Sequence, residues 1–224
     1  MSEGKADEKP TAWKLACFGE LEELKKLHEE GGSLDDQDER GFTPLCWACR
    51  NGHYEVVKYL IGESCSMETA SFAGMRPLHH ACNKNHEKII RLLIKSGAEV
   101  NGQDENGDTA MHWACARGVL NIVVAILDND GDPSVANAQG VTPFHKAAIF
   151  GQLAVVKKLR DQSVNIDTQD QNGDTALHLA ARTGFTPVVK YLVGAGASTS
   201  ISNKAGVTPL NCALTPAIKK LMQT

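Results

Sequence analysis

A glycine recurs every 33 residues through most of this 224-residue chain. Each of these glycines is followed four positions later by a large apolar residue and seven positions later by an alanine. The glycines are Gly41, Gly74, Gly107, Gly140, Gly173 and Gly206. A period of this length is typical of proteins in which each repeat is one small motif that buries its apolar face against the next repeat. The chain is therefore predicted to fold as a stack of similar repeats.

Each repeat is predicted to contain two short helices joined by a turn. The first helix opens with a threonine cap and a proline at Thr43-Pro44, Thr142-Pro143 and Thr208-Pro209, because proline has no N–H to leave unpaired there. Gly52 marks the turn that ends this helix, and the β-branched pair Val56-Val57 marks the buried face of the second helix.

The third repeat departs from this pattern in two places. Arg76 replaces the capping threonine, and Asn85 replaces the turn glycine. Loss of a threonine cap costs about 1 kcal/mol, and asparagine is the next best residue for a left-handed turn. We expect this repeat to be the weakest internal one.

The repeat also predicts the domain organisation. Residues 1–11 are expected to form a flexible acidic N-terminus, and residues 12–224 a single domain. The first and last repeats are interpreted as caps, because the first carries more charge and the last aligns only with four residues deleted. The predicted repeats cover approximately residues 12–40, 41–73, 74–106, 107–139, 140–172, 173–205 and 206–224.

Three segments give this pattern a family resemblance. Gly107–His112, Gly140–His145 and Gly173–Ala181 resemble the ankyrin-repeat signature, and the similarity extends from about Ala12 to Met222. The resemblance implies an all-α solenoid of stacked helix-turn-helix repeats with projecting hairpins and capping end repeats. It also implies a protein partner bound along the concave side, by hairpin tips and first-helix surfaces.

The family's geometry selects the residues that would meet a partner. The hairpin tips lie one and two residues before each repeat glycine and one after it, and the first-helix surface lies nine and ten after it. Two groups at these positions are apolar: Phe42, Phe72 and Met75, and then Val141, Ile149 and Phe150. The polar candidates are Glu39, Arg40, Arg50, Asn51, Asn83, Lys84, Glu105, Asn106, Asp108, Arg117 and Arg182. We expect one or both apolar groups to anchor the partner while the surrounding charges steer it.

Cysteine and histidine pairs recur with a spacing that metal sites also use. They are Cys46-x-x-Cys49, His79-x-x-Cys82 and His112-x-x-Cys115. Neighbouring helices pack about 8–10 Å apart, whereas all ligands of one zinc ion lie about 2.0–2.3 Å from it. The pairs are therefore interpreted as one structural position repeated, and no metal site or cofactor is predicted.

The same positions have a structural interpretation. By the resemblance, His79, His112, His145 and His178 bond backbone groups and tie the hairpin to the helix. Cys17, Cys49, Cys82 and Cys115 occupy a small-residue position and are expected to be buried, reduced spacers.

Cys46 supports an alternative from the enzyme class. It replaces the histidine of the other repeats near a helix start, where the helix dipole can lower a thiol pKa, and Cys46-Trp47-Ala48-Cys49 has redox-motif spacing. A thioredoxin-like site belongs to a βαβ unit, however, so the favoured interpretation is a tolerated core substitution. No catalytic residue is predicted.

Composition narrows the remaining functions. A net charge of −4 gives no bulk attraction to nucleic acid, no apolar run approaches a membrane span, and the N-terminus lacks an apolar signal core. Seven cysteines without an export signal favour a reducing compartment. We therefore predict a monomeric, non-catalytic protein-interaction module in the cytoplasm, and also in the nucleus, with no nucleic-acid or membrane partner.

The length and repeat number leave one further alternative open. They resemble an ankyrin-repeat chaperone that assembles the regulatory particle of the proteasome. The Leu-x-Cys-x-Glu motif associated with that chaperone is not matched, because the sixth repeat reads Leu179-Ala180-Ala181-Arg182-Thr183.

Overall fold

The computed structural model describes residues 10–223, so residues 1–9 of the predicted acidic N-terminus lie outside the described residues. Within that range the chain forms thirteen α-helices, one short 3-10 turn and no strand. It divides into two compact units between Ala98 and Glu99. The prediction of one domain over residues 12–224 stays a prediction.

The helices alternate in pairs, as the repeat predicts. In the first compact unit they are α1 (Ala12–Phe18), α2 (Leu21–Glu29), α3 (Pro44–Asn51), α4 (Tyr54–Gly62), α5 (Pro77–Lys84) and α6 (Glu87–Lys95), with the 3-10 turn at Phe72–Gly74. In the second they are α7 (Ala110–Arg117), α8 (Leu120–Leu127), α9 (Pro143–Ile149), α10 (Leu153–Asp161), α11 (Ala176–Thr183), α12 (Thr186–Gly194) and α13 (Pro216–Leu221).

The first helices begin where the threonine caps predict. Thr43 Oγ1 accepts a hydrogen bond from the Cys46 N–H at 3.1 Å, which pairs one of the orphan donors of α3. At the other end Gly52 adopts φ +86°, and Asn85 takes the same left-handed conformation with φ +62°. The prediction that asparagine takes the place of glycine in the left-handed turn of the third repeat is confirmed.

The core of each compact unit lies between its stacked helices. First helices pack on first helices, α1 on α3 and α3 on α5 in one unit, and α7 on α9 and α9 on α11 in the other. The β-branched pairs of the second helices, such as Val56-Val57 and Val155-Val156, are buried. This apolar burial provides stability that no isolated helix pair could supply.

Successive hairpins are linked through their backbones. The Phe72 N–H donates to the Arg40 carbonyl at 2.8 Å, and the Ala138 N–H donates to the Asn106 carbonyl at 2.9 Å. These bonds fix the spacing of neighbouring hairpin tips within each compact unit.

Each turn between paired helices is covered by a side chain from the next repeat. His86 Nε2 donates to the Arg50 carbonyl at 3.1 Å, and a Cβ placed on Gly52 would lie 2.6 Å from the same ring. Gln152 covers Gly118 in the same way, and the Phe185 ring covers Gly151. The absence of a side chain at these glycines is therefore required by the following repeat.

The last repeat differs from the prediction. Thr208-Pro209 was expected to open a helix, but residues 209–212 form turns and no helix lies between Thr208 and Thr215. Thr215 is extended (φ −132°, ψ 153°), as the residue before a proline usually is, so a helix opened at Pro209 could not continue past Leu214. Thr215 instead caps α13, which packs on α12.

Candidate functional site

The hairpin tip of the second repeat is organised by one carboxylate. Asp38 Oδ1 accepts the backbone N–H groups of Arg40 and Phe42 at 2.8 and 2.9 Å, and Asp38 Oδ2 accepts the indole N–H of Trp47 at 2.9 Å. The tip is thereby fixed to the first helix of its own repeat, and Arg40 is left exposed.

Phe42 corrects the predicted exposure of this tip. Only 4% of its surface is exposed, because its ring stacks on Trp47 with the centroids 4.6 Å apart. The Arg50 guanidinium lies 5.5 Å from both ring centroids, which is a cation–π distance. Phe42 therefore belongs to the core, and Arg50 covers it.

The tip of the third repeat has the opposite character. Phe72 is 73% exposed, and Met75 is half-buried. The Phe72 backbone is held by the Arg40 carbonyl, and Ala73 adopts φ +63°, so the ring projects from a constrained turn. An exposed phenylalanine on an ordered backbone is a feature of binding anchors.

An open groove adjoins the tip that carries Asp38 and Arg40 in the first compact unit. It has a volume of about 570 Å³ and is lined by Thr11, Trp13, Lys14, Asp38, Glu39, Arg40 and Trp47. The predicted site included Glu39 and Arg40 but missed the two half-buried tryptophans. A sequence signal existed, since Trp47 and Trp113 each lie six residues after a repeat glycine, on the first helix.

Asp108 is a second correction, this time in the second compact unit. It was expected at an exposed tip but is buried. Its Oδ1 accepts from Asn137 Nδ2 at 2.7 Å, and its Oδ2 pairs with Lys146 Nζ at 2.8 Å. Asn137 lies in the next hairpin and Lys146 on α9, so the carboxylate joins neighbouring structural elements rather than facing a partner.

The apolar group of the fifth repeat does not form one cluster. Val141 precedes the cap of α9, whereas Ile149 ends that helix and Phe150 follows it. A seven-residue helix spans about 10 Å, so Val141 lies near the hairpins and Phe150 near the opposite turn. Phe150 is 51% exposed, and Val141 and Ile149 are half-buried.

The other predicted residues differ in exposure, and some exposed ones are also held by neighbouring residues. Arg182 makes two bonds to Asp174 at 2.8 and 2.9 Å, and Asn51 Nδ2 donates to the Cys17 carbonyl at 2.8 Å. The exposed candidates are Glu39, Arg40, Asn51, Phe72, Lys84, Glu105, Asn106, Arg117, Phe150 and Arg182, and the half-buried ones are Arg50, Met75, Asn83, Val141 and Ile149.

The repeated histidines have the predicted structural role. His112 Nδ1 accepts the Thr109 N–H at 3.0 Å, and its Nε2 donates to the Val141 carbonyl at 3.0 Å. His145 and His178 make equivalent bonds to the Thr168 and Val207 carbonyls. Burial lowers the pKa of His112 and His145, which keeps both rings neutral in these bonds.

The cysteines are all free thiols, and most are buried. Burial raises the pKa of Cys46 to about 11, so the expected lowering by the helix dipole does not occur. Burial also raises the pKa of Cys49 well above its ordinary value. Cys17 corrects the prediction of a buried spacer, because it is only half-buried. Burial therefore disfavours the thiolate form of Cys46 and Cys49, which is the form that redox exchange uses.

Two further properties concern metals and membranes. Across residues 10–223, no three His, Cys, Asp or Glu side chains come close enough together to hold a metal ion. In the same range, no helix has the length and apolar character needed to cross a membrane.

Stacked helix pairs with linked hairpins and histidine-tied caps define the class of protein. The family described as ankyrin repeats (3 copies) matches residues 12–104, and that described as ankyrin repeats (many copies) matches residues 111–160 and 144–193. The chain belongs to the ankyrin-repeat family, whose repeats are generally protein-interaction modules.

Two solved structures agree with this assignment. The chain is similar to the crystal structure of the human ASB11 ankyrin repeat domain, with a TM-score of 0.86 and 25% identity over 96% of each chain. It shares the fold of the ankyrin repeat domain of Bcl-3, a member of the IkappaB family, with a TM-score of 0.81 and 24% identity over 98% of this chain and 100% of that one.

The human DNA-binding protein RFXANK is 50% identical to this chain over 44 residues, or 19% of this chain. The match spans only 17% of the length of RFXANK.

Proposed function

We propose that this protein is a non-catalytic adaptor that binds a segment of a partner protein on the hairpin-tip and first-helix face of its first compact unit. The observation that carries the proposal is the open groove lined by Trp13, Trp47 and Arg40. The Arg40 carbonyl in turn holds the backbone of the exposed Phe72. Tryptophan and arginine dominate the binding energy of many interfaces.

The charges of this face suit a polar rim. Glu39 and Arg40 are exposed beside the groove, while the Asp38 carboxylate is occupied by backbone and indole N–H groups. An apolar centre with a mixed-charge rim favours a partner segment with both apolar and polar side chains. In the second compact unit the exposed hairpin residues Glu105 and Asn106 form a second contact area in this proposal.

The test compares the partners captured by matched variants. The wild-type chain, Arg40→Glu and Phe72→Ala are used as baits in isotope-labelled affinity purification with mass spectrometry. We expect one set of proteins to be lost with both variants, because each removes exposed side-chain surface without touching the core.

Lys58→Glu on α4 is the matched control, since it reverses an exposed charge on a second helix. Thermal unfolding of every variant reports whether the fold is intact. If the folded Arg40→Glu and Phe72→Ala variants retain the same partners as the wild type and the control, this face does not bind them.

Neither alternative function gains support from a specific contact. The gankyrin-like role, assembly of the proteasome, rests on length, repeat number and short motifs, and the Leu-x-Cys-x-Glu motif is unmatched at Leu179–Thr183. The thiol-redox role is disfavoured by the buried thiols of Cys46 and Cys49 and by the raised pKa of each.

We further propose that the protein acts as a monomer in the cytoplasm, and also in the nucleus, without binding nucleic acid. Seven free thiols support a reducing compartment, and a net charge of −4 supports the absence of nucleic-acid binding. Light scattering, imaging of the tagged protein and a gel-shift assay with duplex DNA test them separately. A dimer, an export location or a shifted band would each contradict one proposal.

A further inference from the structure

Two neighbouring second helices of the second compact unit leave an open groove between them. It has a volume of about 500 Å³ and is lined by Leu153 and Lys157 of α10 and by Pro187, Lys190, Tyr191 and Gly194 of α12. Leu153 and Tyr191 are half-buried and Pro187 is exposed, so the groove presents apolar surface to solvent. Apolar surface that is open and concave often marks a binding site.

The charged side chains at this groove have one sign. Lys157 and Lys190 occupy equivalent positions, 33 residues apart, and both are exposed. Lys157 Nζ lies 5.7 Å from the centroid of the Tyr191 ring, which holds the ammonium group beside the apolar surface. Among the described residues, neither lysine pairs with a carboxylate, and no acidic residue lines the groove.

The surrounding sequence reinforces this positive field. Residues 141–224 contain nine lysines and arginines against four aspartates, a net charge of +5 in a chain whose total is −4. Within this segment Asp174 pairs with Arg182, and Asp167 and Asp170 accept backbone N–H groups of nearby residues. The basic side chains still outnumber the acidic ones, which favours an acidic ligand.

A comparable groove between α4 and α6 in the first compact unit lacks this property. It is lined in part by Tyr54, Glu87, Lys88 and Arg91. Glu87 pairs with Arg91 at 2.8 Å, so much of the charge there is neutralised within the groove itself. The one-sign character of the α10–α12 groove thus does not follow from the repeat alone.

We propose that the groove between α10 and α12 is a second protein-binding surface, which takes an acidic segment carrying large apolar side chains. The apolar side chains would cover Leu153, Pro187 and Tyr191, and carboxylates would reach Lys157 and Lys190. This surface lies on second helices and does not depend on the first-helix face proposed above.

A peptide selection tests the proposal directly, because the library itself supplies the ligand. A random peptide library is selected on the immobilised full chain and counter-selected on a variant with both Lys157→Glu and Lys190→Glu. We expect groove-dependent peptides rich in Asp and Glu and in Leu, Ile or Phe. Fluorescence polarisation of the strongest peptide then gives its affinity for each variant.

The variants separate charge from apolar contact. Lys157→Glu and Lys190→Glu should each weaken binding by roughly tenfold, and added salt should reduce the wild-type affinity. Tyr191→Ala should also weaken binding, whereas Lys204→Glu, an exposed charge reversal on a hairpin tip, should leave it nearly unchanged. If Tyr191→Ala fails to fold, the two lysine variants still test whether the peptide binds in this groove.

Several results would overturn the proposal. They are the absence of any groove-dependent peptide, enrichment of basic or uncharged peptides, and equal binding by the lysine variants and Lys204→Glu. Self-association that is lost in the lysine variants would show instead that a second copy of the chain covers the groove. The capture experiment on Arg40 and Phe72 is independent, so either surface can fail alone.

Discussion

Ser71 Oγ lies 2.7 Å from His80 Nε2 in the third repeat. The equivalent positions of the second and fourth repeats hold an aspartate that accepts the indole N–H of a tryptophan nine residues later. The Ser71 hydroxyl donates to the Met75 carbonyl at 2.9 Å, which leaves its oxygen to accept from the His80 ring. The serine and histidine therefore replace a structural Asp–Trp pair and are not a nucleophile with its base.

The burial of His80 makes a prediction about acid stability. Desolvation, with a smaller contribution from Arg50, lowers the pKa of His80 from 6.5 to about 3. As the pH drops, His80 is therefore protonated in the unfolded chain before it is protonated in the folded one. The free energy of unfolding should fall as the pH drops from 6.5 towards 3. His80→Gln keeps an N–H donor for Ser71 and removes the titration, so its stability should depend less on pH in this window. Urea unfolding at a series of pH values measures this, and equal pH slopes for the two proteins would refute it.

The third repeat offers a test of helix capping. Arg76 cannot accept a hydrogen bond, although its backbone N–H is paired with His79 Nδ1 at 3.0 Å and its guanidinium with Glu68 at 3.0 Å. Arg76→Thr should restore the missing acceptor and stabilise the protein by about 1 kcal/mol at most.

Loss of the Glu68 pair should offset part of this gain, because partly exposed ion pairs contribute about 0–1 kcal/mol. The gain should therefore be larger when Arg76→Thr is introduced into a Glu68→Gln background. Denaturant midpoints of the four proteins of this cycle measure the effect. An unchanged or lower midpoint for Arg76→Thr in both backgrounds would count against the capping argument.

Thiol reactivity should follow burial. Cys17 and Cys212 are half-buried, whereas Cys46, Cys49, Cys65, Cys82 and Cys115 are buried. Burial also raises the pKa of Cys65 to about 12. Iodoacetamide should therefore modify Cys17 and Cys212 first. Intact-mass measurement and peptide mapping at several reaction times check this order. Early modification of Cys46 in the folded protein would revive the redox alternative.

Two glycines separate backbone strain from steric overlap. Gly151 and Gly206 share φ +72°, but a Cβ on Gly151 would lie 2.3 Å from the Phe185 ring, and one on Gly206 would meet nothing within 4 Å. Gly206→Ala should cost about 1–2 kcal/mol from the left-handed conformation alone. Gly151→Ala should cost about 1–3 kcal/mol more, because the ring must move. Equal losses in thermal or urea unfolding would show that the Phe185 contact is unimportant.

Features that depend on a few neighbouring residues could be predicted from the sequence better than contacts between distant residues. Thr43 and Gly52 mark helix ends because cap chemistry involves only a few residues. Phe42 was misplaced because its ring folds back onto Trp47 and Arg50, a contact that its position in the hairpin does not reveal.

The exposure of the candidate site residues also depends on contacts that the sequence does not reveal. Asp108 was misplaced because Asn137 of the next hairpin and Lys146 of α9 reach it. The α10–α12 groove could have been anticipated from the 33-residue spacing of Lys157 and Lys190. The volume between the helices becomes visible only in the structure.

The side chains that cover each turn also bear on how such a chain can change length. In the first compact unit His53 covers Gly19 and His86 covers Gly52, so excision of the second repeat would leave a histidine over a glycine again. In the second compact unit the corresponding residues differ, since Gln152 covers Gly118 and Phe185 covers Gly151. Excision of the fifth repeat would place the Phe185 ring over Gly118, where a glutamine lies now. Loss of the second repeat during evolution should therefore be tolerated more readily than loss of the fifth.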